Sequence, residues 1–132
     1  MSPVTGFFVF LVLTVAALGV VVVTGLKRRR GAHVVGVAFA LGFLAGAIVY
    51  ALDVGKIYDL EAAGAITPIH LNLARVTTFC YLLPAVTGVL TWRDPERWRR
   101  LHGRLAWFVV ALTVVTTVTG ALMLMGAEPI AD

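Results

Sequence analysis

Four apolar stretches, each about 20 residues or longer, dominate this 132-residue chain and constrain it more than any other feature. They cover residues 4–26, 34–52, 66–91 and 105–125, and Arg75 is the one Lys, Arg, Asp or Glu within them. At a rise of about 1.5 Å per residue, each stretch crosses a hydrocarbon core about 30 Å thick. Lipid offers no partner to an unpaired backbone amide, so each stretch must be helical. Their many Val and Thr residues favour strands in water, a preference the bilayer overrides. The whole chain is 60% hydrophobic and 14% charged, against about 25% charged in soluble domains. A small soluble domain lacks the interior to hide that much apolar surface. Disorder is excluded on the same ground, and a single cysteine excludes a disulfide-stapled module. The expected fold is an all-α integral membrane protein: an up-down four-helix transmembrane bundle forming one domain over residues 1–132. Its helices are expected at about 4–26, 33–53, 66–91 and 95–125.

Charge sets the expected direction. Lys27, Arg28, Arg29 and Arg30 fill the first loop, and Arg93, Arg97, Arg99, Arg100 and Arg104 cluster at the third. The middle loop carries Asp53, Asp59 and Glu61 against Lys56, and Glu128 and Asp132 end the chain. The positive-inside rule then places loops one and three in the cytoplasm and both termini outside a cell membrane. The first stretch reads as a retained helix rather than a signal peptide, because its basic cluster follows the apolar run instead of preceding it. The basic residues hug helix ends, which argues for membrane topology and against nucleic acid as a partner. Asp94-Pro95 is an N-cap followed by proline at the first helical position, so the last helix should begin near residue 95. Trp92, Trp98 and Trp107 mark the same boundary. A short interfacial helix is expected around residues 56–63.

Few residues can carry chemistry. His33 and His102 stand at the same expected depth, at the starts of the second and fourth helices, and each follows a basic pair: Arg29-Arg30-Gly31-Ala32-His33 and Arg99-Arg100-Leu101-His102. The pattern suggests a duplicated helical hairpin. In an up-down bundle these helices are diagonal neighbours, so the two rings face one another as axial ligands of one haem iron would. Arg30, Arg100 and Arg104 are the candidate partners for its propionates. Gly19, Gly36, Gly88 and Gly103 are candidate points of close approach for the flat ring. A bland role as interfacial histidines is the competing reading.

His70 opens the third helix, some 20–30 Å from His102 by rise per residue, too far to share its haem. It is a candidate for a second, outer haem, with Met123 or Met125 as the soft partner. His70, Asn72 and Arg75 together form a candidate outer site for a quinone headgroup or a propionate, although His70 and Arg75 lie about 140° apart around a helix. The plain alternative is an Arg75 that snorkels outward to Asp53. Cys80 reads as a small core residue. Pro84 should kink the third helix and free the Cys80 carbonyl, with Thr77 and Thr78 near the loosened backbone. Gly42-x-x-x-Gly46, extended by Ala38, offers the second helix a small-residue packing face, and the threonines of the fourth helix are expected to bond across helices or back to the preceding turn. No P-loop, H-E-x-x-H, C-x-x-C-H or G-x-S-x-G motif occurs.

Arg30-Gly31-Ala32-His33, Arg100-Leu101-His102-Gly103-Arg104 and His70-Leu71-Asn72-Leu73-Ala74, set on four spans, resemble the small membrane-embedded b-type cytochromes. These include the core of the ascorbate-dependent transmembrane cytochromes and the cytochrome subunits of quinone-linked dehydrogenases. The resemblance implies haem b, one-electron transfer to or from a quinone pool or a redox partner subunit, and membrane lipid and a partner or a second copy as surroundings. The di-haem members hold a complete second histidine pair, which this chain lacks. The alternative is a cofactor-free, pigment-binding or quinone-binding accessory subunit that anchors a larger membrane complex. Either way an electron-transfer or accessory subunit is expected rather than a self-sufficient enzyme.

Overall fold

The computed structural model describes residues 1–130 and is almost entirely helical. Asp132, counted above among the outer acids, lies outside the described residues. The order is α1 (Pro3–Leu26), α2 (Arg30–Ile57), β1 (Tyr58–Asp59), a 3-10 turn (Glu61–Ala63), α3 (Ile66–Cys80), α4 (Leu82–Arg93), α5 (Pro95–Gly126) and β2 (Glu128–Pro129). With α3 and α4 taken as one run over Ile66–Arg93, there are four helices among the described residues long and apolar enough to cross a membrane. Large apolar side chains cover their exteriors, Phe79 at 72% and Met125 at 84% exposure among them. Among the described residues, 1–58 with 129–130 form one compact unit, and 59–128 a second.

The first unit is the α1/α2 hairpin. Ser2 caps α1 by accepting from the Thr5 amide, and Pro3 occupies the first helical turn. The connection is only three residues long and turns through Arg28, which takes a left-handed φ of 55°. Its interface is made of small residues and two reciprocal notches. Gly36, Ala40, Ala47 and Val54 form the buried stripe of α2. The Tyr50 ring of α2 rests where a Cβ at Gly6 of α1 would stand, and Phe10 of α1 does the same to Gly46 of α2. The two rings stack on each other at 5.6 Å. The small-residue face therefore differs from the expected one: Gly46 packs, but Ala38 and Gly42 are exposed, and nothing lies within 4 Å of a Cβ at Gly42. At the chain's end the Ile130 amide donates to the Ile57 carbonyl.

The second unit packs α3 and α4 along α5. The expected interfacial helix at residues 56–63 is absent. Those residues instead finish α2, form β1 and close a 3-10 turn at Gly64, whose φ of 70° suits glycine. Thr67 fixes the turn by donating its hydroxyl to the Leu60 carbonyl. The Pro84 effect is displaced by a turn from the proline itself: the helix breaks at Tyr81, whose amide makes long bonds of 3.3 and 3.4 Å to Thr77 and Thr78. Thr78 does not serve the loosened carbonyl, because its hydroxyl bonds to Ala74. Asp94 caps α5 by accepting from the Arg97 amide, with Pro95 in the first turn, as the sequence implies.

Threonines solve the problem of polar side chains in apolar helices. Thr14, Thr87, Thr113 and Thr117 each donate to the carbonyl four residues back. Thr14 is 1% exposed on those terms. Among the described residues, no buried side-chain polar atom lacks a partner.

Candidate functional site

Each of the three histidines stands half-buried near the start of its helix, and each is seated the same way. The ring fills a notch over a glycine of the neighbouring helix, and Nδ1 meets an oxygen of that helix. His33 of α2 lies 3.2 Å from the Cβ position of Gly25 on α1, with Nδ1 2.9 Å from the Val21 carbonyl. His102 of α5 lies 3.4 Å from the Cβ position of Gly88 on α4, with Nδ1 3.2 Å from the Thr87 hydroxyl. His70 of α3 lies 2.8 Å from the Cβ position of Gly120 on α5, with Nδ1 3.1 Å from the Thr119 hydroxyl.

These contacts favour a hydrogen on Nδ1. A carbonyl only accepts, so Nδ1 of His33 carries the proton and donates to Val21. The Thr87 hydroxyl gives its single proton to the Leu83 carbonyl at 2.8 Å, so toward His102 it accepts. Thr119 gives its proton to the Thr116 carbonyl at 3.0 Å and accepts from His70. In a neutral ring with Nδ1 as the donor, the lone pair lies on Nε2. A metal-binding histidine held by its outer hydrogen bond has this form. His33 and His102 each have Nδ1 anchored on a neighbouring helix, which is the support an imidazole ligand of haem would need. Among the described residues, no group of three or more His, Cys, Asp and Glu side chains gathers as a metal cluster.

Neighbouring residues fall out by helical phase, at about 100° per residue. Arg30 precedes His33 by three residues, about 60° away on the same side of α2. Around α5 the equivalent residue is Arg99, three before His102, which the sequence reading passed over. Arg100 and Arg104 are two residues from His102 in either direction, hence about 160° around the helix, and both are exposed. Two of the four expected glycine approaches are also taken: Gly88 receives the His102 ring and Gly36 receives Val21, while Gly19 and Gly103 are open.

The second unit holds His70 and His102, but His70 bonds to Thr119, 17 residues along α5 from His102, about 25 Å by helical rise. Between them runs a polar seam: Tyr81 Oη meets Thr113 at 2.8 Å, and Thr77 meets Thr116 at 2.8 Å. The sequence reading identified the threonines and missed Tyr81, whose hydroxyl is reachable only once α4 and α5 are in register. His70 does not join Asn72 and Arg75. It faces α5, whereas Asn72 and Arg75 are both exposed and lie about 60° apart on another face of α3. Met123 is buried and Met125 exposed. Asp53 holds Lys56 at 2.6 Å, where Arg75 was the expected partner.

No protein-family model, curated protein or solved structure matches this chain.

Proposed function

We propose that the chain is a membrane-embedded b-type cytochrome that carries electrons to or from a quinone pool or a redox partner subunit. In this reading His33 and His102 are the axial ligands of one haem b, in a cell membrane, with loops one and three in the cytoplasm. The observation that carries it is the common seating of the two rings. Each sets Nδ1 against an oxygen of the adjacent helix, the Val21 carbonyl for His33 and the Thr87 hydroxyl for His102, the support typical of an imidazole that ligates a metal through its other nitrogen. Haem b, when bound, supplies a one-electron couple at iron.

The chain's own residues supply the rest. Val21 and Thr87 orient the two imidazoles and raise their basicity through the Nδ1–H bond. Arg30 and Arg99, one turn before each histidine, are the guanidinium groups on the ligand side for the propionates. Arg100 and Arg104, on the opposite face, serve that role less directly. At the other end of the spans His70 is the candidate ligand of a second haem, with buried Met123 as its soft candidate partner. Asn72 and Arg75 form a separate exposed pair able to hold a quinone carbonyl or a carboxylate.

One observation favours the accessory-subunit reading instead: each ring already fills a glycine notch and a hydrogen bond within its own unit, as a purely structural histidine would. Ligand variants separate the two. Full-length protein produced with ample haem should carry one haem b per chain by pyridine haemochrome assay. His33→Ala and His102→Ala should each lose it, and His70→Ala should keep it. Retention of haem by His102→Ala would remove the ligand assignment. A haem-free wild type of normal stability would favour the accessory subunit.

A further inference from the structure

The first three turns of α5 have two faces of opposite character. Trp98, His102, Leu105 and Val109 follow one helical stripe and are all partly or fully buried. Arg97, Arg100 and Arg104 follow another, at spacings of three and four residues, and all are exposed. By phase the arginine stripe lies about 120–180° from buried Val109. Glu96 stands one turn before Arg100 but forms no salt bridge with it. Asp94 is occupied as the helix cap, and among the described residues no carboxylate lies within ion-pairing distance of the three guanidinium groups. The Arg97 guanidinium stacks over the Trp98 ring at 5.2 Å, joining the stripe to an aromatic side chain of the kind that gathers at headgroup depth. Trp92 and Trp107, 60% and 56% exposed, flank the same end.

From this geometry we infer that the Arg97–Arg100–Arg104 stripe is a binding face for anionic phospholipid headgroups. Charge complementarity selects the occupant: three exposed cations, without a salt bridge among the described residues, line about 10 Å of helix beside an apolar span and suit the phosphate plane of a leaflet. Guanidinium groups bind phosphate oxygens in bidentate fashion. The inference rests on the membrane placement proposed above and is independent of haem. It also gives Arg100 and Arg104 a role on the face they occupy.

All three tryptophans lie in the second unit, so they report on this region. The full chain is reconstituted into phosphatidylcholine vesicles in which a fixed fraction of lipid is replaced by brominated phosphatidylglycerol or brominated phosphatidylcholine. Tryptophan quenching then gives the relative affinity of the two headgroups. Wild type should prefer the anionic lipid, and Arg97→Gln/Arg100→Gln/Arg104→Gln should abolish the preference while keeping its helical circular dichroism. Single Arg100→Gln should lower it by up to about fivefold, which keeps the test open if the triple variant fails to fold. Lys27→Gln/Arg28→Gln, in the other unit, should leave it unchanged. Equal quenching by both lipids in the wild type, or a preference that survives the folded triple variant, overturns the inference. A preference removed by inorganic phosphate but not by chloride of equal ionic strength would assign the stripe to free phosphate instead, which also overturns it. Absence of quenching by either lipid would overturn the membrane placement itself, and the inference with it.

Discussion

At the scale of residues, the account turns on the oxygen behind each imidazole. Thr87 is the more informative anchor, because a side chain can be changed where the Val21 carbonyl cannot. Thr87→Val keeps the shape of the residue and removes the acceptor for His102 Nδ1–H. The expected result is a loss of about 10- to 100-fold in haem affinity, the usual cost of removing an outer-shell partner, read by haem titration of the purified protein. A structural histidine would show only altered stability. The glycine beneath each ring makes a second prediction. A Cβ at Gly120 would stand 2.8 Å from His70 Cε1, so Gly120→Ala must shift the ring. It should destabilise the protein by about 1–3 kcal/mol, measured by unfolding in mixed detergent micelles. None of the three seats was legible in the sequence. The histidines stood out by their rarity, but Gly25, Gly88 and Gly120 are matched to them only by the register of one helix against another. That register depends on loop length and side-chain fit, which no periodicity reveals. Arg99 was overlooked for a related reason: adjacency to Arg100 in sequence hid a difference of 100° in direction.

At the scale of elements, the four apolar runs were readable to within a few residues, because hydrocarbon thickness and backbone satisfaction leave little freedom. The α5 start was readable from Asp94-Pro95 alone. The ends of α2 were not. It begins at Arg30 and runs to Ile57, beyond the apolar stretch at both ends, because polar residues such as Asp53 and Lys56 can continue a helix past the hydrocarbon and pair with each other. The small-residue face of α2 was read correctly at Gly46 and not at Ala38 or Gly42, since small residues recur on both sides and sequence alone does not say which side meets α1. A pair of substitutions tests this. Gly42→Ala should change stability by no more than about 0.5 kcal/mol, as nothing stands within 4 Å of the added atom. Gly46→Ala meets the Phe10 ring and should cost about 1–3 kcal/mol. On the other hairpin, a double-mutant cycle between Thr77→Val and Thr116→Val should return a coupling of about 0.6 kcal/mol, typical of hydrogen bonds between membrane helices.

At the scale of the whole molecule, nearly all the described residues lie in the four long apolar helices and their short connections. The charge distribution predicts which way the spans run. In a Cys80→Ser background, Arg29→Cys and Arg99→Cys should resist an impermeant maleimide in intact cells, while Ser2→Cys and Ala62→Cys should react. The reverse pattern would invert the topology and move the His33 and His102 ends to the outer side. The central claim is tested most directly by a reduced-minus-oxidised optical spectrum of the purified, full-length chain produced with saturating haem supply. The account predicts a Soret and an α band of a six-coordinate, bis-histidine haem b. A flat difference spectrum from folded protein would contradict it.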